Sequence, residues 1–193
     1  MKKKILVISI ISVVCIGIIA GISVHLLGKD DLEICSTHSD YVKLSADELE
    51  NESDIIIVGK FTGEKRQVIP DKNVAPDVMS SVYTYHTFEV ISQYKGDVQD
   101  EITIRQSYGQ IDNKLYLDSN SPEFEEGEKY LLYLKKGEKL VKDDVDNYYL
   151  FGGPQNCIEI DESGKLDLRG KDASDAQKIE AMYDSTDVEN VAE

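Results

Sequence analysis

At 193 residues the chain is long enough for one ordinary domain and an appendage. It carries 37 acidic residues against 21 lysines and arginines, a formal charge of −16. That field repels nucleic acid and anionic lipid, whose recognition needs clustered Lys and Arg, so neither is an expected ligand.

The appendage comes first. Met1-Lys2-Lys3-Lys4 precedes an apolar run from Ile5 to Val24, ending in His25-Leu26-Leu27-Gly28-Lys29. About 20 apolar residues are enough to span a bilayer as a helix. Lysines in front and Asp30, Asp31 and Glu33 behind put the N-terminus in the cytoplasm and the rest of the chain outside. The run is long for the core of a signal peptide. Residues 1–29 are therefore expected to be an uncleaved single-pass anchor in the cell membrane, with secretion after cleavage as the alternative. Removing Lys2, Lys3 and Lys4 leaves 18 basic against 37 acidic residues, so the external part is near −19.

Cys15 lies within the span, whereas Cys35 and Cys157 lie at the two ends of the external part. In an oxidising compartment a Cys35–Cys157 disulfide is the default expectation. It would close a long loop and add about 4 kcal/mol on the loop-entropy account.

Taken in order, Ser45 and Glu48 have capping-box spacing, and Leu44 with Leu49 has the spacing of a hydrophobic staple, so a short helix starts here. Asn51-Glu52-Ser53 stops it. Ile55-Ile56-Ile57-Val58 then predicts a strand buried on both faces, ending in the turn residues Thr62-Gly63-Glu64-Lys65. A long loop over 67–80 leads to a strand over Val82–Ile91, which places Thr84, His86 and Phe88 on one face and Tyr83 and Tyr85 on the other. After a turn at Tyr94-Lys95-Gly96-Asp97, Glu101–Gln106 alternates with Ile102 and Ile104 inward. The stretch from Tyr108 to Glu128 is polar and turn-rich. Strands follow over Lys129–Lys135, Asn147–Phe151 and Cys157–Ile160, and Ser174 with Gln177 has capping-box spacing for a terminal helix. These elements predict a mainly β domain over 30–184, with a disordered acidic tail over 185–193. The expected architecture is a small five- to six-stranded antiparallel barrel with two short flanking helices.

The order of elements carries a resemblance. Cys35, a short helix and Ser53-Asp54-Ile55-Ile56-Ile57-Val58-Gly59-Lys60 look like the opening of netrin-like modules and tissue inhibitors of metalloproteinases. Tyr85–Val90, Tyr94-Lys95-Gly96 and Ile102-Thr103-Ile104 are similar to their second strand, lysine-glycine turn and third strand, and Gly127–Leu132 resembles their next strand. Uncharacterised cell-surface proteins of Gram-positive bacteria share this order. The resemblance implies a barrel of the oligonucleotide/oligosaccharide-binding (OB) type. The inhibitors grip zinc through the free amino group of a leading cysteine. Cys35 is internal, so inhibition is not carried over and would require processing beside that residue.

No nucleophile elbow, phosphate-cradling glycine loop or His-Glu metal motif is present, and the chain is read as non-enzymatic and without a cofactor. Eleven tyrosines and no tryptophan suggest a binding face, with Tyr83, Tyr85 and His86 as its candidates. Asp143, Asp144 and Asp146 are the candidate calcium ligands, although their spacing is not that of a helix-loop-helix calcium site. Cys35, His38, His86 and Cys157 are a weaker zinc alternative. The expected function is that of a membrane-anchored extracellular interaction module for a protein or cell-envelope partner. A protease-inhibitor-like module and a calcium-dependent surface adhesion protein are the alternatives.

Overall fold

The computed structural model describes residues 32–184 except residue 39. The expected anchor and the acidic tail lie outside the described residues. Among those described, no helix is long and apolar enough to cross a membrane. The fold below is that of the unit Ile34–Glu193, with Glu33 added as the first residue of its opening strand.

The elements are β1 (Glu33–Thr37), α1 (Ala46–Glu52), β2 (Ile55–Val68), β3 (Tyr83–Lys95), β4 (Glu101–Gln106), β5 (Gly109–Ile111), β6 (Lys114–Asp118), β7 (Lys129–Lys136), β8 (Asn147–Tyr149), a 3₁₀ turn (Gly153–Asn156), β9 (Cys157–Ile160) and α2 (Ala173–Asp184). Among the described residues the protein is mainly β, with two helices. Six strands form one sheet in the order β2-β3-β4-β8-β7-β9, and three form another in the order β1-β6-β5.

Within the larger sheet β2 also pairs with β7, so the pairings run β2-β3-β4-β8-β7 and return to β2. Strands that pair in a circuit of five cannot alternate direction at every step, because five is odd. One pair must run parallel, and it is β4 with β8, joined at Thr103↔Asn147 and Ile104↔Tyr148. The expectation of a wholly antiparallel sheet is corrected on this point.

Ser45 caps α1 as its spacing predicts. The Glu48 N–H donates to Ser45 Oγ at 3.3 Å, and the Ser45 N–H donates to Glu48 Oε2 at 2.8 Å. Ser53 ends the helix by turning its hydroxyl back onto the Leu49 carbonyl at 2.6 Å. The next residues enter β2, whose β-branched run is buried on both faces. Ile55, Ile57 and Phe61 point into one cluster with Phe88, Ile102, Ile104 and Leu132. Ile56 and Val58 point into another, with Leu131 and Tyr133 and with Ala46, Leu49 and Ile179 of the helices. The two sides of β7 divide in the same way. Gly59 allows the close approach between β2 and its neighbours, since a Cβ there would sit 3.2 Å from both Leu132 and Phe88.

β2 does not stop at Thr62-Gly63-Glu64. Pairing with β3 passes from Phe61↔Phe88 to Lys65↔His86, three residues opposite one, so the turn residues form a bulge and the strand runs on to Val68. Gly63 takes the positive φ of 86° that the bulge needs, and the Thr62 hydroxyl donates to the Thr87 carbonyl at 3.0 Å. The Gly96 turn falls where expected, with φ of 84° and no room for a Cβ, which would lie 2.6 Å from the Asp54 carbonyl oxygen. α2 begins at Ala173, before the capping serine expected at Ser174, because the Ala176 N–H already bonds to the Asp172 carbonyl at 2.9 Å.

No disulfide is formed among the described residues, so the expected Cys35–Cys157 bridge is absent. Cys35 lies on β1 of the smaller sheet. Cys157 opens β9 and packs its sulfur against the Ile57–Phe88 cluster, where burial pushes the thiol pKa up.

Candidate functional site

The three residues expected to make an open binding face are buried: Tyr83 is 8 %, Tyr85 2 % and His86 1 % exposed. This corrects the expectation of a tyrosine-rich surface around them. Alternation along β3 does separate the two sides, but both sides are covered. Tyr83 and Tyr85 pack with Val68, Ala75 and Leu140. His86 faces Phe61 at 5.5 Å and Phe124 at 5.1 Å between ring centroids. Its Nε2 lies 3.1 Å from the Tyr108 hydroxyl, and its buried Nδ1 has no hydrogen-bond partner. Burial, with Lys65 adding to it, pushes the imidazole down to about 4.

The three aspartates do not converge either. Tyr85 donates its hydroxyl to Asp144 Oδ2 at 2.7 Å, and the Leu140 N–H donates to the same oxygen at 2.8 Å. Burial and the neighbouring carboxylate raise the Tyr85 pKa. Asp144 is thus turned inward as a structural acceptor, with Arg66 3.9 Å from its other oxygen. Asp143 and Asp146 face solvent, and Asp146 lies 3.4 Å from Lys136 Nζ. Among the described residues no cluster of three or more His, Cys, Asp or Glu side chains could hold a metal. The structure thus brings together neither Asp143, Asp144 and Asp146 nor Cys35, His38, His86 and Cys157 as a set of ligands. His38 is exposed and lies 2.9 Å from the Ser119 hydroxyl, while His86 is enclosed in the aromatic cluster.

A different set of residues is brought together. A cleft of about 450 Å³ opens where the start of β3, the end of β4 and the end of β8 meet, lined by Met79, Tyr83, Arg105, Lys136, Glu138 and Tyr149 among others. At its centre the Arg105 guanidinium lies over two rings, 5.2 Å from the Tyr83 centroid and 5.3 Å from that of Tyr149. Its Nη1 donates to the Glu138 carbonyl and its Nη2 to Glu138 Oε1, each at 3.0 Å. The alternation of β4 explains the placement, since Ile102 and Ile104 go inward and Arg105 must point the other way. Gly137 clears the space behind it: a Cβ there would lie 3.1 Å from Arg105 Cζ and 2.2 Å from Asn147 Oδ1. Tyr41 stands at the rim, and Met79 is 98 % exposed.

A larger cleft of about 740 Å³ lies between β9 and α2, lined by Glu125, Glu159, Asp161, Glu180 and Arg169 among others. Two of its carboxylates serve local structure. Asp161 accepts from the backbone of Ser163 and Lys165, and Asp167 pairs with Arg169.

Sequence reasoning passed over Arg105, Glu138 and Met79. The one signal available was an arginine in an alternating strand of a strongly acidic chain, and nothing in its neighbours indicates the rings that enclose it. No protein-family model matches the chain, and no curated protein matches it.

Proposed function

We propose that the chain is a membrane-anchored extracellular module that binds a protein or cell-envelope partner without catalysing a reaction. In this reading the β2-β3-β4-β8-β7 circuit is a small closed barrel of the OB type, similar to netrin-like modules, carried outside the cell by residues 1–29. Support for the barrel comes from the circuit of pairings and its single parallel pair. OB barrels use the surface of their second and third strands for ligands. In this chain those strands are β3 and β4, which border the cleft. The acidic charge argues against the nucleic-acid ligands that the fold often takes.

The observation that carries the proposal is the arginine held between two tyrosines beside an exposed methionine. Arginine, tyrosine and methionine are enriched at protein interfaces, and a large apolar side chain left wholly in water at the lip of a cleft is suited to contact with a partner. Photo-crosslinking on intact cells tests it, with the reactive amino acid placed at Met79 or, for comparison, at Glu162 in the other cleft. Discrete adducts from position 79 and none from 162 are expected. Equal yields from both, or none from either, would overturn the proposal.

A further inference from the structure

Arg105 limits what the cleft can hold. A guanidinium has five N–H donors in one plane, and Glu138 takes two of them, one through its backbone carbonyl and one through its carboxylate. The Arg105 side chain is only 8 % exposed, with the Tyr83 and Tyr149 rings close to its guanidinium, so a carboxylate reaches its donors where the exposed Glu138 side chain now sits. The Glu138 carboxylate belongs to a side chain that is mostly in water, so its hold on Arg105 is weakened by solvent.

The other charges in the cleft narrow the choice. Lys136, whose Nζ lies 3.4 Å from Asp146, is a second cation there, and Asp118 and Glu138 are the anions. With cations and acids about evenly matched, nothing in the cleft rewards the second charge of a phosphate dianion, whose desolvation costs more than that of a singly charged carboxylate. Met79, Leu150 and Phe151 give the cleft an apolar wall beside the guanidinium.

Resting on the reading of the cleft as a binding site, we propose that it recognises the C-terminal carboxylate of a peptide whose last side chain is apolar. Arg105 binds the carboxylate, Met79 and Phe151 cover the apolar side chain, and the Glu138 carboxylate competes with the ligand for Arg105.

The probe is dansyl-Ala-Leu-Phe with a free carboxylate, titrated into the full chain in detergent and followed by dansyl anisotropy. Two further peptides serve as comparisons: the same peptide as its C-terminal amide, and an amidated peptide carrying an internal glutamate. The free acid is expected to bind at least about tenfold more tightly than either, the weight of one charge-assisted hydrogen bond. Arg105→Lys should remove that advantage and leave the amide unchanged, because lysine keeps the charge but not the planar edge. Glu138→Gln, a substitution on an exposed side chain that leaves the fold intact, should tighten the free acid about threefold. Equal binding of acid and amide, no binding of either, or a Glu138→Gln variant that does not tighten would overturn the proposal. Equal preference for the internal glutamate would also overturn it and reassign the ligand to an acidic side chain. Adducts from position 79 on cells alongside any of these results would leave the binding-module reading standing and remove only the carboxylate.

Discussion

β2 and β4 are both central strands, and their two faces are used differently. On β2 both faces are apolar, Ile55 and Ile57 on one side and Ile56 and Val58 on the other, and both are closed off by neighbours. On β4 the inner face is Ile102 and Ile104, while the outer face carries Arg105 to the cleft. The comparison separates two tasks. Residues that define the fold are apolar and replaceable only by others of their size, whereas the residue that defines the cleft is charged and held by rings from distant strands.

The largest effect should come from the apolar cluster that β2 shares with β3 and the inner face of β4. Phe88→Ala removes the ring that Phe61, Phe124 and Tyr130 pack around, and should cost about 3–5 kcal/mol in a urea titration. A cost under about 1 kcal/mol would mean that this cluster is not the core.

His86 sharpens the contrast between buried and exposed polar groups through pH. Its imidazole is held at about 4 when folded, against about 6.5 when unfolded. The unfolded chain therefore binds the extra proton first, so this contribution to stability is complete above about pH 6.5 and is lost as pH falls to about 4. Between pH 7 and pH 5 the loss should be about 2 kcal/mol, and a His86→Phe variant should lack that part of the slope.

Tyr85→Phe comes next. It strips one of the two donors from buried Asp144 and should cost about 1–3 kcal/mol, read as a lowered urea midpoint. Met79→Ala should change stability by less than about 0.5 kcal/mol, since the side chain is in water, while lowering the yield of captured partner. A methionine that proved to matter for stability would break the division between the two regions.

Much of the fold was legible in the sequence for a physical reason. Alternation and β-branched runs report local burial, so Glu101–Gln106 and Cys157–Ile160 were placed to the residue and both faces of Ile55–Val58 were read as buried. Ser45 and Glu48 marked α1 because a capping box is a local bond. β1 was missed because it is exposed along most of its length and its sheet partner, β6, lies far along the chain. The β5–β6 hairpin was missed because its turn, at Asp112 with φ of 52°, looks like any polar loop. The site was the least legible part. Tyr83 and Tyr85 have the composition of a binding face, but loop residues such as Leu140 cover them, and Arg105 takes its meaning from Glu138 and Tyr149 far along the chain.

The central claim is that the cleft is occupied by a partner where the protein works. Hydroxyl-radical footprinting tests it most directly, comparing oxidation of Met79 in the purified full chain with that on intact cells. Val145, which is exposed and does not line the cleft, serves as the internal reference. Protection of Met79 relative to Val145 on cells is the predicted result, and equal oxidation in the two settings would contradict it.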